Sequence, residues 1–209
     1  MDFREWEPIY ESILEDMGFS REDDEQSAII LSGMLTPLNS ATVSDLEHLI
    51  KGKDVLVCGN APSLREELGH TDIKGLVIIA ADGAAAVLVD SDITPDIIVT
   101  DLDGDLEKEI IANRNGALMV VHAHGDNPDK LEKYVPRLKG MVGSTQAAPL
   151  HNVYNFGGFS DGDRCVFLAR EFGACSVTLI GFDLDDENVG PIKKKKLKWA
   201  RRLIDRSGL

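Results

Sequence analysis

The sequence predicts an α/β fold of three layers: a mostly parallel sheet with helices on both faces, preceded by a helical segment. Two observations carry this. Short apolar runs rich in β-branched residues recur at 54–58, 76–80, 97–99, 117–121 and 177–180, without polar alternation. Strands buried on both faces read this way. Helical patterns at about 62–69, 83–91, 105–115, 126–138 and 160–173 separate these runs, and such alternation builds a parallel sheet.

Taken in order, residues 1–50 form the helical segment and residues 51–209 the α/β domain with its basic C-terminal helix. Trp6, Ile9, Tyr10, Ile13, Leu14 and Met17 recur at three- and four-residue spacing, one apolar helix face. Gly18 ends that helix. Ser20 caps a second through about Leu35, with Glu22, Asp23 and Asp24 at its positive end. Thr42 or Ser44 starts a third, to Ile50. This segment offers no chemical constellation. The rhythm changes at Lys53, where the strands begin, with one more near Met141-Val142. Leu197, Ala200, Leu203 and Ile204 give the last helix a packed face, opposite the run Lys193–Lys196.

Composition narrows the function. The chain has 209 residues and a net charge of −14, which argues against nucleic acid or an anionic membrane as partner. Residues 191–209 carry eight Lys/Arg and one Asp. That basic end meets either the acidic body or a phosphorylated ligand. No stretch approaches the roughly 18 apolar residues of a membrane span. The acidic start Met1-Asp2-Phe3-Arg4-Glu5 resembles neither signal nor transit peptide. Cys58, Cys165 and Cys175 are scattered, unlike a zinc spacing, and fit a reducing cytoplasm.

Polar residues gather where strands end. In a parallel sheet those ends converge on one edge, where ligands bind. The first strand leads into Gly59-Asn60-Ala61-Pro62-Ser63, either a plain turn with a first-turn proline or a cradle of backbone N–H groups for phosphate. The second leads into Asp82-Gly83, a bare turn or a place of close ligand approach. The third ends in Asp101, Asp103 and Asp105, carboxylates that repel one another unless a cation neutralises them. Asp105 is the candidate cap of the next helix. The fourth gives His122, His124, Asp126 and Asn127. His-x-His with a carboxylate suits zinc only weakly; hydrogen bonding or phosphate contact is the alternative, and Asp126 is also a candidate cap. The loop Gly157-Gly158-Phe159-Ser160-Asp161-Gly162-Asp163 precedes a helix. Ser160 or Asp161 caps it, or the glycines admit a phosphate or heterocycle.

Asp82-Gly83-Ala84 followed by Pro95-Asp96-Ile97-Ile98-Val99-Thr100-Asp101-Leu102-Asp103 resembles the thiamine pyrophosphokinase pattern. Together with Gly59–Leu64, His122–Asn127, Gly157–Arg164 and Lys196–Ala200, the set resembles the archaeal 6-hydroxymethyl-7,8-dihydropterin pyrophosphokinase family across about residues 50–205. Two departures favour this pterin branch. Gly104 stands where the thiamine enzymes carry serine, and His124-Gly125-Asp126-Asn127 replaces their later Asp-Lys-Asp-x-Thr-Asp box.

The resemblance implies a thiamine pyrophosphokinase-like catalytic fold and transfer of diphosphate from ATP to a pterin hydroxymethyl group, releasing AMP. It implies Mg²⁺ on Asp101 and Asp103, with Asp82 or Asp126 as further ligands. Gly59, Asn60, Pro62, Ser63, Asp82, Gly83 and Lys196 would contact ATP. His122, His124 and Asn127 would touch phosphates or orient Asp126, the candidate base. Gly158, Phe159, Ser160, Asp161 and Asp163 would receive the pterin. Expected partners are ATP and a pterin alcohol, with a homodimer as the assembly in view. Two rivals stand beside this reading. Asp101-Leu102-Asp103-Gly104 superficially matches phosphoaspartyl hydrolases, though Asp105 replaces their usual threonine. A regulatory protein that binds nucleotide without turnover is the other.

Overall fold

The computed structural model describes residues 1–208. The described chain forms α1 (Phe3–Met17), α2 (Arg21–Met34), α3 (Val43–Ile50), β1 (Asp54–Cys58), α4 (Leu64–His70), β2 (Val77–Ala81), α5 (Ala84–Val89) and β3 (Ile97–Thr100). There follow α6 (Leu106–Arg114), β4 (Leu118–Ala123), α7 (Pro128–Tyr134), a 3₁₀ turn (Val135–Arg137), β5 (Met141–Thr145), β6 (Val153–Tyr154), α8 (Asp161–Glu171), β7 (Ser176–Ile180) and α9 (Pro191–Arg206).

The strands make one seven-stranded sheet in the order β6-β5-β4-β3-β2-β1-β7. Every pairing is parallel, as the apolar runs require. From β1 to β6 the chain steps one way across the sheet; it then crosses back to place β7 beside β1. Right-handed crossovers put helices on one face during the outward march and on the other during the return. The packing agrees. Leu56, Cys58, Ile78, Ala80 and Ile98 pack with Leu64, Leu88, Ile110 and Leu131 of α4–α7. The alternate residues Val55, Val57, Ile79, Ile97 and Val99 pack with Val166 and Leu168 of α8, Phe172 at its end and Ile204 of α9.

The helical N-terminus joins both outer layers. Ala28 and Leu31 of α2 lie in the first of these clusters, and Leu46 and Ile50 of α3 in the second. Trp6, Tyr10 and Ile13 of α1 form a third with Phe159, Phe167 and Leu203. Helix ends follow the capping chemistry. Gly18 closes α1 in the left-handed conformation at φ 71°, Ser20 caps α2, and Thr42 with Asp45 forms the capping box of α3.

β6 has no counterpart among the sequence expectations. It is two residues long, and only Gly143 and Ser144 pair with it, so no periodic pattern had room to appear. The fourth strand extends to Ala123 and takes in His122. No described helix is long and apolar enough to cross a membrane.

Candidate active site

The site lies at the C-terminal edge of the sheet, where β2, β3 and β4 end against the start of α8. Its centre is a set of carboxylates from three distant parts of the chain. One oxygen each of Asp82, Asp101 and Asp161 lies within 4.8 Å of the others.

Local backbone geometry aims each of them. Asp82 follows β2 at φ 22°, and its N–H donates to the Val99 carbonyl at 2.7 Å. Its Oδ1 accepts from the Thr100 hydroxyl at 2.7 Å and the Gly104 N–H at 3.1 Å. Asp101 follows β3. Its Oδ2 meets Nε2 of His124 at 3.2 Å, while its Oδ1 is buried without a partner. Asp161 is the first residue of α8, where Arg164 Nη1 donates to it at 2.9 Å.

Crowding and burial set the electrostatics. Burial, with the Asp101 charge added, raises Asp82 and raises Asp161 well above the usual carboxylate range. Burial pushes Asp101 the same way, but His124, Arg164 and Lys196 outweigh it and hold the group low. Glu109 lies behind Asp82, 1% exposed with neither oxygen hydrogen-bonded as an acceptor. Burial and the Asp82 charge push it up to about 9, which holds it neutral beside Asp82. Such a set fits a divalent cation. It offers hard oxygen donors, an unused lone-pair edge on Asp101, and mutual repulsion that a cation relieves.

Asp103 stands apart. The strand ends at Thr100, whose hydroxyl accepts from the Leu102 N–H at 2.8 Å. Leu102 turns into the left-handed region at φ 64° and buries its side chain. That turn sends Asp103 to the surface, into a 2.5 Å ion pair with Lys130. Asp103 is therefore outside the three-carboxylate set, and Asp161 is in it. Asp105 caps α6 through the Lys108 N–H at 3.3 Å.

The remaining expected residues surround this centre. Gly59 and Gly181 bring the β1 and β7 ends together: a Cβ on Gly59 would sit 2.5 Å from the Gly181 carbonyl. Pro62 and Ser63 lead into α4, and the Ser63 side chain makes no cap hydrogen bond. Gly83 packs on the Asn60 amide, where a Cβ would collide, so the first two loops form one surface. Lys196 is half-buried and acts electrostatically on Asp101, whereas Lys195 is taken up by Asp16.

Asn127 is buried and ties the β4 loop together. Its Nδ2 donates to the carbonyls of Asp101 and His122, both at 2.8 Å, and its Oδ1 accepts from the His124 N–H at 3.0 Å. Asp126 is exposed, and its N–H meets His124 Nδ1 at 3.3 Å. In the loop before α8, Gly158 packs against Arg164 and Phe159 is buried beside Trp6. Asp163 accepts from the N–H groups of Phe159 and Ser160 and from the Ser160 hydroxyl. Both its oxygens are engaged inside the loop.

His122 is sealed in the sheet, its Nδ1 3.0 Å from the Ser144 hydroxyl. Burial, then the charge of Arg164 and His124, drive it well below its ordinary value. The folded protein keeps it neutral, while the unfolded chain protonates it below about 6.5. The unfolded state then binds more protons, so this contribution is fully present above that pH and lost as pH falls. His122→Gln is expected to flatten the fall in urea midpoint between about pH 7 and 5 relative to wild type. An equally steep fall would show that His122 does not carry it.

Several site residues escaped sequence reasoning. Thr100 and Glu109 hold or face the carboxylates. Asp24, from the helical N-terminus, accepts from Tyr10 Oη at 2.6 Å, Gly125 N–H at 2.8 Å and Gln146 Nε2 at 2.7 Å. Residues 1–50 thus brace the β4 loop, although they held no chemical pattern. The spacing Ser160-x-x-Asp163, a capping-box signature, was the one signal that could have freed Asp161 for the centre.

Comparison with known proteins gives the family and the likeness of fold. The family described as 6-hydroxymethylpterin diphosphokinase MptE-like matches residues 32–189. A Methanocaldococcus jannaschii protein called 6-hydroxymethyl-7,8-dihydropterin pyrophosphokinase is 44% identical, covering 98% of this chain and 95% of its own. Proteins of the same name from Methanothermobacter thermautotrophicus and Pyrococcus furiosus are each 42% identical over 98% of this chain and 94% of theirs. Among solved structures, a MAf glycosyltransferase from Magnetospirillum magneticum superposes with a TM-score of 0.58 at 15% identity. The match spans 91% of this chain and 35% of that one, a likeness of fold alone.

Proposed function

We propose, from the premise that this chain belongs to the 6-hydroxymethylpterin diphosphokinase MptE-like family, that it transfers diphosphate from ATP to 6-hydroxymethyl-7,8-dihydropterin. The protein is a pyrophosphokinase, as its relatives are. The observation that carries the chemistry is the convergence of Asp82, Asp101 and Asp161 at the strand ends.

The reaction forms a bond from the hydroxymethyl oxygen to the β-phosphorus of ATP. It breaks the bond between that phosphorus and the α,β-bridging oxygen, which leaves with AMP; the hydroxyl proton is lost to a base. Positioning and charge neutralisation supply most of the rate for such a transfer. Asp82, Asp101 and Asp161 would hold Mg²⁺. Bound there, it would supply charge neutralisation on the phosphate oxygens. Asp103 remains an outer candidate through the phosphate or through water.

The joined surface of Gly59, Asn60, Pro62, Ser63 and Gly83 receives the nucleotide; the Gly59 and Ala61 N–H groups are spent on the Ile180 and Gly181 carbonyls, so those of Asn60, Ser63 and Gly83 are the ones offered to phosphate. Lys130, Arg164 and Lys196 surround the carboxylates with positive charge and offset the triphosphate. His124 orients Asp101. Asp126, exposed one loop away, takes the hydroxyl proton. The His124-Gly125-Asp126-Asn127 sequence in place of the thiamine enzymes' acidic box supports a pterin acceptor.

The test is AMP release from ATP and Mg²⁺ with either acceptor. The pterin alcohol is expected to yield AMP stoichiometrically and thiamine to yield little. Equal or greater turnover with thiamine would reverse the choice of acceptor.

A further inference from the structure

We propose that the hollow between the α1–α2 turn and the loop after β4 is the binding pocket for the pterin ring. Phe19 and Asp23, both in the helical N-terminus, are its specificity-determining residues. The inference rests on the diphosphate-transfer reading and adds where the acceptor sits.

The hollow measures about 160 Å³ and is lined by Gly18, Phe19, Ser20, Asp23, Asp24, His124, Gly125 and Asp126. An enclosed cavity of about 150 Å³ takes a benzene ring. This one opens to solvent, so a bicyclic ring fits with one edge inside. Its walls are set before any ligand arrives. Gly18 and Phe19 N–H groups both donate to the Leu14 carbonyl, at 2.8 and 3.1 Å. Ser20 caps α2 through the Asp23 N–H at 3.2 Å. Asp24 clamps the opposite wall through the Gly125 N–H. A preformed wall lowers the ordering cost of binding.

The lining suits a planar heterocycle with adjacent N–H donors. Phe19 is half-buried, braced on Phe159 with ring centroids 6.3 Å apart, and offers an aromatic surface for packing. Asp24 spends its oxygens on Tyr10, Gly125 and Gln146, whereas the exposed Asp23 has a carboxylate to spare. A carboxylate accepts two parallel N–H bonds, the pattern an aminopyrimidinone edge presents. A cation is the poorer occupant. Among the described residues, Asp82, Asp101 and Asp161 are the only three-ligand group that converges, so these carboxylates do not close around an ion.

Placement supplies an independent argument. An in-line transfer needs acceptor and nucleotide on opposite sides of the reacting phosphorus. In the order β5-β4-β3-β2-β1-β7, the nucleotide loops follow β1 and β2, and the carboxylate centre sits at β2 and β3. The hollow lies beyond the end of β4, across the centre from those loops. His124 joins the two: it lines the hollow, and its Nε2 meets Asp101. A ring held there directs its hydroxymethyl arm toward the metal centre.

The experiment titrates the intrinsic fluorescence of 6-hydroxymethylpterin into the full-length protein, with Mg²⁺ and a non-hydrolysable ATP analogue present. Analogue binding is measured in parallel. Asp23→Asn and Phe19→Leu are each expected to weaken pterin binding by about tenfold and leave analogue binding unchanged. Phe19→Tyr, which keeps the ring, is expected to restore it. Wild-type pterin affinity in both Asp23→Asn and Phe19→Leu would overturn the pocket while leaving diphosphate transfer intact. Failure of the wild type itself to bind the pterin and, with ATP in place of the analogue, to release AMP would overturn the underlying reaction, and the pocket with it.

Discussion

Asp101→Asn is expected to lower kcat/KM by about a thousandfold, equivalent to roughly 4 kcal/mol of transition-state stabilisation. Asp103→Asn is expected to cost no more than about tenfold, since a screened surface pair contributes little. The contrast follows from position. Asp101 is a half-buried carboxylate, kept ionised by His124, Arg164 and Lys196, with one oxygen unused. Asp103 is an exposed partner of Lys130. Asparagine keeps the size of either side chain, so the fold survives, and steady-state AMP release separates the two variants. A larger loss at Asp103 would move the metal to the surface side of the Leu102 turn.

The second large effect is on stability. Arg164 is buried beside three carboxylates, donating to Asp161 at 2.9 Å and to Gln146 at 3.2 Å. Arg164→Met removes the only buried guanidinium among the described residues and leaves Asp161 unpaired near Asp101 and Asp82. Breaking a buried pair in this way costs about 3–5 kcal/mol. At about 2–4 °C per kcal/mol for a chain this size, the Tm falls by on the order of 10 °C. Two further changes identify the cause. Millimolar Mg²⁺ is expected to recover part of the loss, because a cation bound only by the folded state stabilises it. Asp161→Asn added to Arg164→Met is expected to recover part as well, because it removes the carboxylate left without its partner. A drop that neither change relieves would assign Arg164 a packing role instead.

The sheet was legible because both-face burial forces uninterrupted apolar runs, and five of the seven strands carry them. The convergence of loops was legible for the same reason, since parallel strands must end together. Three features could not be read. β6 is too short to have a period. The Asp101-x-Asp103 pair suggested two ligands side by side, but the chain leaves the strand at Thr100 and the left-handed Leu102 turns Asp103 away. Asp161 looked like a cap or a pterin contact; Ser160 and Asp163 take the capping work between them, which leaves Asp161 facing Asp82 and Asp101. Asp24 belongs to another kind of omission. Its partners Gly125 and Gln146 lie more than 100 residues away in sequence, and only the packing of α2 onto β4 and β5 brings them together.

The most direct test of diphosphate transfer follows ATP labelled at its β-phosphorus in the presence of 6-hydroxymethyl-7,8-dihydropterin and Mg²⁺. The label is expected to appear in the pterin diphosphate, one for each AMP released. Label retained in ADP, or set free as inorganic phosphate, would contradict the account.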